Sequence, residues 1–258
     1  MAETKRVEAA FLIIGNEILS GRTQDCNLTT LATKLNTVGI AVVECRIIAD
    51  VETAIVETVR ALSARYDYLF TSGGIGPTHD DITAACVAKA CDTILERNPD
   101  ALAALQSHYG DPDALTDARL KMADIPVGAA LIDNPVSAAP GFIIGNVHVL
   151  AGVPKIFNAM VDGLLPSLKG GAPVLSRTVT SNLPESSIAH ILSAMEADHD
   201  GVEVGSYPYF KLGQGGVSVV IRSTDEVQLD HAAQADFDGI TKAGGQARYL
   251  ETGLKHSA

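Results

Sequence analysis

The sequence predicts an α/β protein: a mostly parallel sheet with helices on both faces, followed by a small α+β module of ferredoxin-like order. Three observations predict it. Over the first ninety or so residues, short apolar runs alternate with stretches of helical periodicity, the β-α-β-α-β-α order that builds parallel sheets. The Gly- and Pro-rich stretch Pro166-Ser-Leu-Lys-Gly-Gly-Ala-Pro173 then interrupts all periodicity. Beyond it the order changes to β-α-β-β-α-β, that of a split βαβ module. The expected domains are residues 1–168 and 172–258.

Residues Ala9 to Ile14 form an unbroken apolar run, as expected of a strand buried on both faces. From Asp25 to Gly39, Leu28, Leu31, Ala32, Leu35 and Val38 recur at helical spacing, with Asp25 or Asn27 placed to cap the start and Gly39 to end it. Ile40 to Ile48 reads as the second strand, Val51 to Tyr66 as a helix, Asp67 to Thr71 as the third strand and Thr83 to Cys91 as the next helix. Pro99 to Ala123 is helical in parts and broken at Gly110-Asp-Pro-Asp113. Val127 to Ile132 and Phe142 to Leu150 are expected strands, and Lys155 to Leu165 an expected helix. In the second module the expected strands are Val174 to Asn182, Val202 to Phe210, Gly216 to Ser223 and Ala247 to Glu251. The second and third would form a hairpin across Lys211 to Gly215. Helices are expected at Pro184 to Ala197, with a proline in the first turn, and at Val227 to Ala243.

Apolar residues make up 47% of the 258, aromatics only 5%, and Trp is absent, so the core is aliphatic. The net charge of −12 repels nucleic-acid phosphates and anionic lipid surfaces, so neither nucleic acid nor membrane is an expected partner. The N-terminus has no long apolar run behind a basic start, and a cytoplasmic protein is expected. Cys26, Cys45, Cys86 and Cys91 have no metal-pair spacing and read as small apolar residues in a reducing compartment.

The candidate site is the segment Thr71-Ser-Gly-Gly-Ile-Gly-Pro-Thr-His-Asp-Asp81. Adjacent glycines after a strand permit positive φ and let a ligand approach the main chain. The following helix start offers unpaired N–H groups to a phosphate. Ser72, Gly73, Gly74, Gly76 and Thr78 are the candidate phosphate contacts. Thr78 is suited to cap the helix, with Asp81 as its capping-box partner. Asp80 at a helix start competes with a phosphate unless a cation sits between them, and Mg²⁺ takes one or two carboxylates plus phosphate oxygens. Asp80 and Glu17, after the first strand, are therefore the candidate metal ligands, with Mg²⁺ or another divalent ion as the expected cofactor. Glu17 is also a candidate to activate water, and its other reading is a helix-start acid. His79 is a candidate acid or base, or a donor at the rim of the turn. Asp25 and Asn27 are caps or ligand contacts. The two-proline loop Asn134 to Phe142, with Pro140 and Gly141, either closes over a ligand or is a plain connector.

Gly15-Asn-Glu-Ile-Leu-Ser-Gly21, Asp25-Cys-Asn27, the Thr71 to Asp81 segment with Thr83, Asn134-Pro-Val-Ser-Ala-Ala-Pro-Gly141 and Leu150-Ala-Gly-Val-Pro154 stand in one order. Together they resemble the molybdopterin-binding domain superfamily (Mog/MoaB-like), and most closely the N-terminal region of the competence/damage-inducible CinA proteins. The resemblance covers roughly residues 8 to 165. It implies a three-layer αβα domain whose glycine turn binds the phosphate of molybdopterin or of a nucleotide, and a homo-oligomer. It also implies either divalent-metal-dependent hydrolysis of ADP-ribose to AMP and ribose 5-phosphate, or handling of molybdopterin or its adenylate. On this resemblance Gly73, Gly74, Gly76, Thr78 and Asp80 are phosphate and metal positions, supported by Glu17, Asp25 and Asn27. The sequence departs from the family at Lys155-Ile156-Phe157, where Ser-Glu-Met is frequent, and at Ser137, where Gly is usual. The nicotinamide-nucleotide deamidase domain that follows in full-length CinA proteins has no counterpart before Ala258, so that activity is expected to be absent.

Overall fold

A computed structural model describes residues 6–211 and 214–250. The chain divides into two compact units, Met1–Gly171 and Ala172–Ala258.

In the first unit the elements run β1 (Val7–Ile14), α1 (Asn16–Leu19), α2 (Asn27–Thr37), β2 (Ile40–Ile48), α3 (Glu52–Arg65), β3 (Tyr68–Ser72) and α4 (Thr83–Ala90). They continue with β4 (Leu95–Arg97), α5 (Pro99–Tyr109), α6 (Asp117–Leu120), β5 (Asp124–Pro126), β6 (Ala130–Ile132), β7 (Gly141–Ile144), β8 (Val147–Leu150) and α7 (Pro154–Leu164). Six strands form one sheet in the order β2-β1-β3-β8-β7-β6. The first four are mutually parallel, and β7 and β6 continue antiparallel.

The alternation of side chains along β1 explains the layers. Ala10, Leu12 and Ile14 join the core under α3, α4 and α5, with Val59, Val87 and Leu105. Ala9, Phe11 and Ile13 join the core under α2 and α7, with Leu35, Phe157 and Val161. Both faces of the sheet are dry, so the central strand reads as one apolar run. The rings of Phe11 and Phe157 lie 5.7 Å apart, and each buried aromatic of this kind contributes about 2–3 kcal/mol. Helix α5 starts where Asn98 accepts the amides of Asp100 and Ala101, each at 3.0 Å, with Pro99 in the first turn.

Two sequence expectations need correction. Phe142 to Leu150 is not one strand but a hairpin, β7 and β8, with Ile144 paired to Val147 across Gly145-Asn146. Gly145 takes φ +57°, the first central position of a tight hairpin turn, and a run apolar on both sides of it concealed the reversal. Val127 to Ile132 yields a strand only at Ala130–Ile132, because Gly128 turns the chain at φ +85°. The strand β5 before it pairs instead with β4 in a separate two-stranded ribbon.

The second unit runs β9 (Leu175–Ser181), α8 (Glu185–Asp198), β10 (Glu203–Lys211), β11 (Gln214–Ser223), α9 (Glu226–Lys242) and β12 (Ala247–Leu250). Its antiparallel sheet has the order β10-β11-β9-β12, the order expected of a ferredoxin-like module. Of the expected hairpin turn, Leu212 and Gly213 lie outside the described residues, as does Glu251 at the end of the last strand. Helix α9 begins where Asp225 accepts the amides of Val227 and Gln228 at 2.9 and 3.1 Å. Val179, Val217, Val219 and Ile221 from the sheet pack on Ile188, Leu229, Ala233 and Ile240 from the helices. Among the described residues no helix is long and apolar enough to cross a membrane.

Candidate functional site

Strand β3 ends between the ends of β1 and β8, and Gly73 is the point of closest approach. It takes φ +105°, and a Cβ there would stand 2.1 Å from the carbonyl oxygen of Ile14. Its amide donates to the Leu150 carbonyl at 3.2 Å. Gly74 follows at φ +67°, where a Cβ would meet the Thr83 hydroxyl at 2.2 Å. The buried Thr83 fixes the turn: its hydroxyl donates to the Gly73 carbonyl and its amide to the Gly74 carbonyl, each at 3.0 Å. A side chain at Gly73 would displace the Ile14 backbone, and one at Gly74 would displace the Thr83 side chain that fixes the turn. The amides of Gly74, Ile75 and Gly76 have no hydrogen-bond partner among the described residues.

The second arm of the turn differs from the sequence expectation. The helix starts at Thr83, with Ile82 before it, and not at Thr78. Thr78 and Asp81 instead close a turn of their own. Asp81 Oδ2 accepts the Thr78 amide at 2.8 Å and lies 2.5 Å from its hydroxyl, which is also 2.5 Å from Asp80 Oδ1. One half of a capping box is present, but the Asp81 amide donates to the Thr78 carbonyl at 3.3 Å rather than to its hydroxyl, and the contact organises a loop. The Thr78 hydroxyl, above all, holds the Asp80 carboxyl below the usual carboxylate range, aided by its own backbone and by the nearby His79 and Lys121. The Lys121 ammonium donates to the Thr78 carbonyl at 2.8 Å.

A cleft of about 460 Å³ opens over this turn. Glu17, Gly73, Gly74, Gly76 and Asp81 line it, facing Asn134 and Ser137. Ile75, Met122, Val153 and Ile156 give it apolar walls. The Glu17 carboxylate folds back over Gly15, where a Cβ would lie 2.6 Å from Oε1. An adjoining recess of about 50 Å³ brings Asp25, Asn27 and Ser72 beside Glu17 and Gly73. Pro140 and Lys121 meet Gly74 and Gly76 in a third recess of about 90 Å³.

Of the sequence candidates, Glu17 and the three glycines therefore converge. Others do not take the roles expected of them. Asp80 and His79 are absent from the cleft wall; the His79 side chain is 98% exposed, with Nδ1 3.9 Å from Asp80 Oδ1. Asp81, the neighbour read as a cap, is the carboxylate on the cleft, and Thr78 is not on its wall. Asp25 takes one of its two expected roles, the cap: its carboxylate accepts the amides of Asn27 at 3.3 Å and Leu28 at 3.0 Å. Asn27 is buried, and its Nδ2 donates to Ser72 Oγ and to the Gly152 carbonyl, both at 2.9 Å, so these side chains tie α2 to the ends of β3 and β8. Gly141 is buried in β7, where a Cβ would lie 2.2 Å from the Val149 carbonyl oxygen; packing, not ligand approach, demands glycine there.

Two further contributors differ in how legible they were: Lys121 belongs to no motif, whereas Asn134 opens the two-proline loop already singled out. Lys121 is a lone cation in a broken helical stretch. Asn134, 3% exposed, shapes its loop by accepting the amides of Val136 and Ser137 at 3.1 Å and donating to Ser137 Oγ and the Ala139 carbonyl at 2.8 Å. Among the described residues no group of three or more His, Cys, Asp or Glu side chains is placed to hold a metal ion. Glu17 and Asp81 both line the cleft, and their number matches the one or two carboxylates that Mg²⁺ takes when ligand phosphates and water complete its shell. Glu17 with Asp80, the expected pair, does not share that lining.

Comparison with known proteins agrees with this geometry. Residues 10–170 match the family described as "Probable molybdopterin binding domain", and residues 173–240 match "FAD synthase, middle domain". The crystal structure of a CinA protein of unknown function from Thermoplasma acidophilum is 36% identical, with a TM-score of 0.59 over 63% of this chain and 99% of that one. A Pyrobaculum calidifontis protein is 36% identical over 78% of this chain and 80% of its own length. A CinA-like protein from Desulfosudis oleivorans is 31% identical over 95% of this chain, which spans 62% of that relative. With the glycine turn, the αβα layers and these relatives in agreement, the chain belongs to the molybdopterin-binding domain family, among its CinA-like members.

Proposed function

We propose that the cleft binds a nucleotide diphosphate and hydrolyses its pyrophosphate with the help of a divalent cation, ADP-ribose being the expected substrate. The observation that carries this reading is that three residues with unpartnered amides, Gly74 to Gly76, line the same cleft as Glu17 and Asp81. Amides hold one phosphate without adding charge. Apolar Ile75, Met122 and Val153 accept the flat base or ribose edge and exclude water. Water adds to one phosphorus, the bridging P–O bond breaks, and Glu17 takes the proton that the water gives up. Asp81 holds the turn in shape through Thr78 while facing the phosphates. A divalent cation held by Glu17 and Asp81 supplies charge neutralisation on the phosphate oxygens.

Incubation with ADP-ribose and Mg²⁺ or Co²⁺, followed by chromatography, is expected to yield AMP and ribose 5-phosphate. Glu17→Gln is expected to lower the rate by about 100-fold or more. AMP release no faster than in Glu17→Gln ends the proposal. The family description of residues 10–170 favours a second reading, a carrier of molybdopterin. Calorimetric binding of molybdopterin that excess ADP-ribose does not displace would move the function to that reading. The four cysteines, all unpaired as thiols, suit the reducing cytoplasm in which either role would operate.

A further inference from the structure

We infer that the outer edge of β2 is a self-association surface, on which a second copy of this chain pairs antiparallel about a two-fold axis at Cys45. This does not rest on the function assigned to the cleft. Strand β2 ends the six-stranded sheet, and among the described residues no strand pairs with its outer side. An edge of this length is a template for pairing unless it is blunted. Here the bulge at Val43 and the charges of Glu44 and Arg46 are such blunting features against a neutral partner strand, but one face is apolar: Val43 is 41% exposed, Ile47 43%, and Cys45 between them is exposed.

The backbone fixes which registers are allowed. The Ile48 carbonyl accepts the Gly15 amide, so Ile48 and, two residues back, Arg46 turn their N–H and C=O groups towards β1. Ile47 and Cys45 turn theirs to the free edge. A two-fold axis at Cys45 lets the two Cys45 residues exchange both backbone hydrogen bonds. It also sets Val43 against Ile47 of the second copy, although Val43 is the extra residue of a bulge opposite Ala9 and Ala10.

Charge selects the same register. Within one copy Glu44 accepts from Arg46 Nε at 2.7 Å, from the Tyr66 hydroxyl at 2.5 Å and from Arg65 at 3.4 Å. An axis at Glu44 would oppose two glutamates, and an axis at Arg46 two arginines. The axis at Cys45 opposes Glu44 to Arg46 of the second copy, and Arg46 to its Glu44. Opposite charges directly across a pair are favourable and like charges are not. The surface is self-complementary, as an isologous dimer requires.

Light scattering and sedimentation of the whole chain test this. The wild type is expected to be dimeric. Arg46→Glu opposes glutamates twice and should weaken the dimer about tenfold or more. Glu44→Arg with Arg46→Glu should restore it. A wild-type monomer at all concentrations overturns the inference, as does a dimer unmoved by Arg46→Glu. So does a folded double variant that stays monomeric. Should the charge variants fail to fold by circular dichroism, cross-linking decides. In a Cys26→Ser background, a short bis-maleimide at pH 8 is expected to give a covalent dimer that Cys45→Ser abolishes, since backbone-bonded pairs hold Cα atoms about 5.5 Å apart. Absence of that product overturns the inference.

Discussion

At the cleft of the first unit, Asn27, Thr83 and Asn134 are as buried as the core leucines around them. Each side chain spends its polar atoms on backbone or on a neighbouring hydroxyl. In the second unit Asp236 is equally buried on α9, and neither carboxylate oxygen has a hydrogen-bond partner. Among the described residues the first unit holds one such orphan, the Thr71 hydroxyl, whose cost is far below that of a carboxylate. The difference shows what buried polarity is for. In the first unit it holds three strand ends in one arrangement around a cleft. In the second it is a standing cost that packing must offset.

Three substitutions and one control test that contrast. Gly73→Ala is the most severe, because its Cβ meets the main-chain oxygen of Ile14 and φ is +105°. A loss of about 4 kcal/mol or more in urea denaturation is expected. Gly128→Ala, at φ +85° in open space, is the control and should cost only about 1 kcal/mol. Equal losses would mean that the strand ends are not locked at Gly73.

Asp236→Asn is expected to act in the opposite direction. Burial pushes the Asp236 carboxyl up to about 7 from its ordinary 3.8. Below pH 4 both folded and unfolded chains carry the proton. As pH rises from 4 to 7 the unfolded chain releases it and the folded chain retains it, so stability falls. Above 7 it stays at the lower level. The loss is on the order of 4 kcal/mol. In Asp236→Asn that slope should vanish and stability at pH 8 should rise, as read from urea titrations at pH 5 and pH 8. A slope unchanged by the substitution would assign the pH dependence to other groups.

Asn27→Ala has the smallest expected effect. It strands the Ser72 hydroxyl and the Gly152 carbonyl and should cost about 2 kcal/mol. Ligand binding should weaken with it if the recess beside Glu17 depends on that tie. A stability loss with unchanged affinity would confine Asn27 to the fold.

Much of this was legible in the sequence, and the limits are physical. The alternation of apolar runs and helical stretches gave β1, α2, β2, α3, β3 and α4 within about two residues at most ends, but not the short α1, whose four residues carry no periodicity. Glu17 and the glycine turn were legible as a cluster because strands of one parallel sheet end on one side. What sequence cannot resolve is rotation by a single residue. Whether Asp80 or Asp81 faces the cleft depends on where the helix starts, and the extra turn closed by Thr78 shifts that start to Thr83. A glycine demanded by packing, such as Gly141, looks the same in sequence as one demanded by a ligand. Lys121 reaches Thr78 from 43 residues away, and no local pattern encodes that meeting.

The unpaired amides of Gly74 to Gly76 have a practical consequence. They lie where three strand ends converge, so an anion that fills them becomes, thermodynamically, part of the native state. Any such compound raises the melting temperature by mass action, about 2.7 kcal/mol of added stability at a hundredfold excess over its dissociation constant. A thermal-shift screen of nucleotides and pterins can therefore find the natural ligand before any turnover is measured, with Gly73→Ala reporting whether the signal comes from this turn.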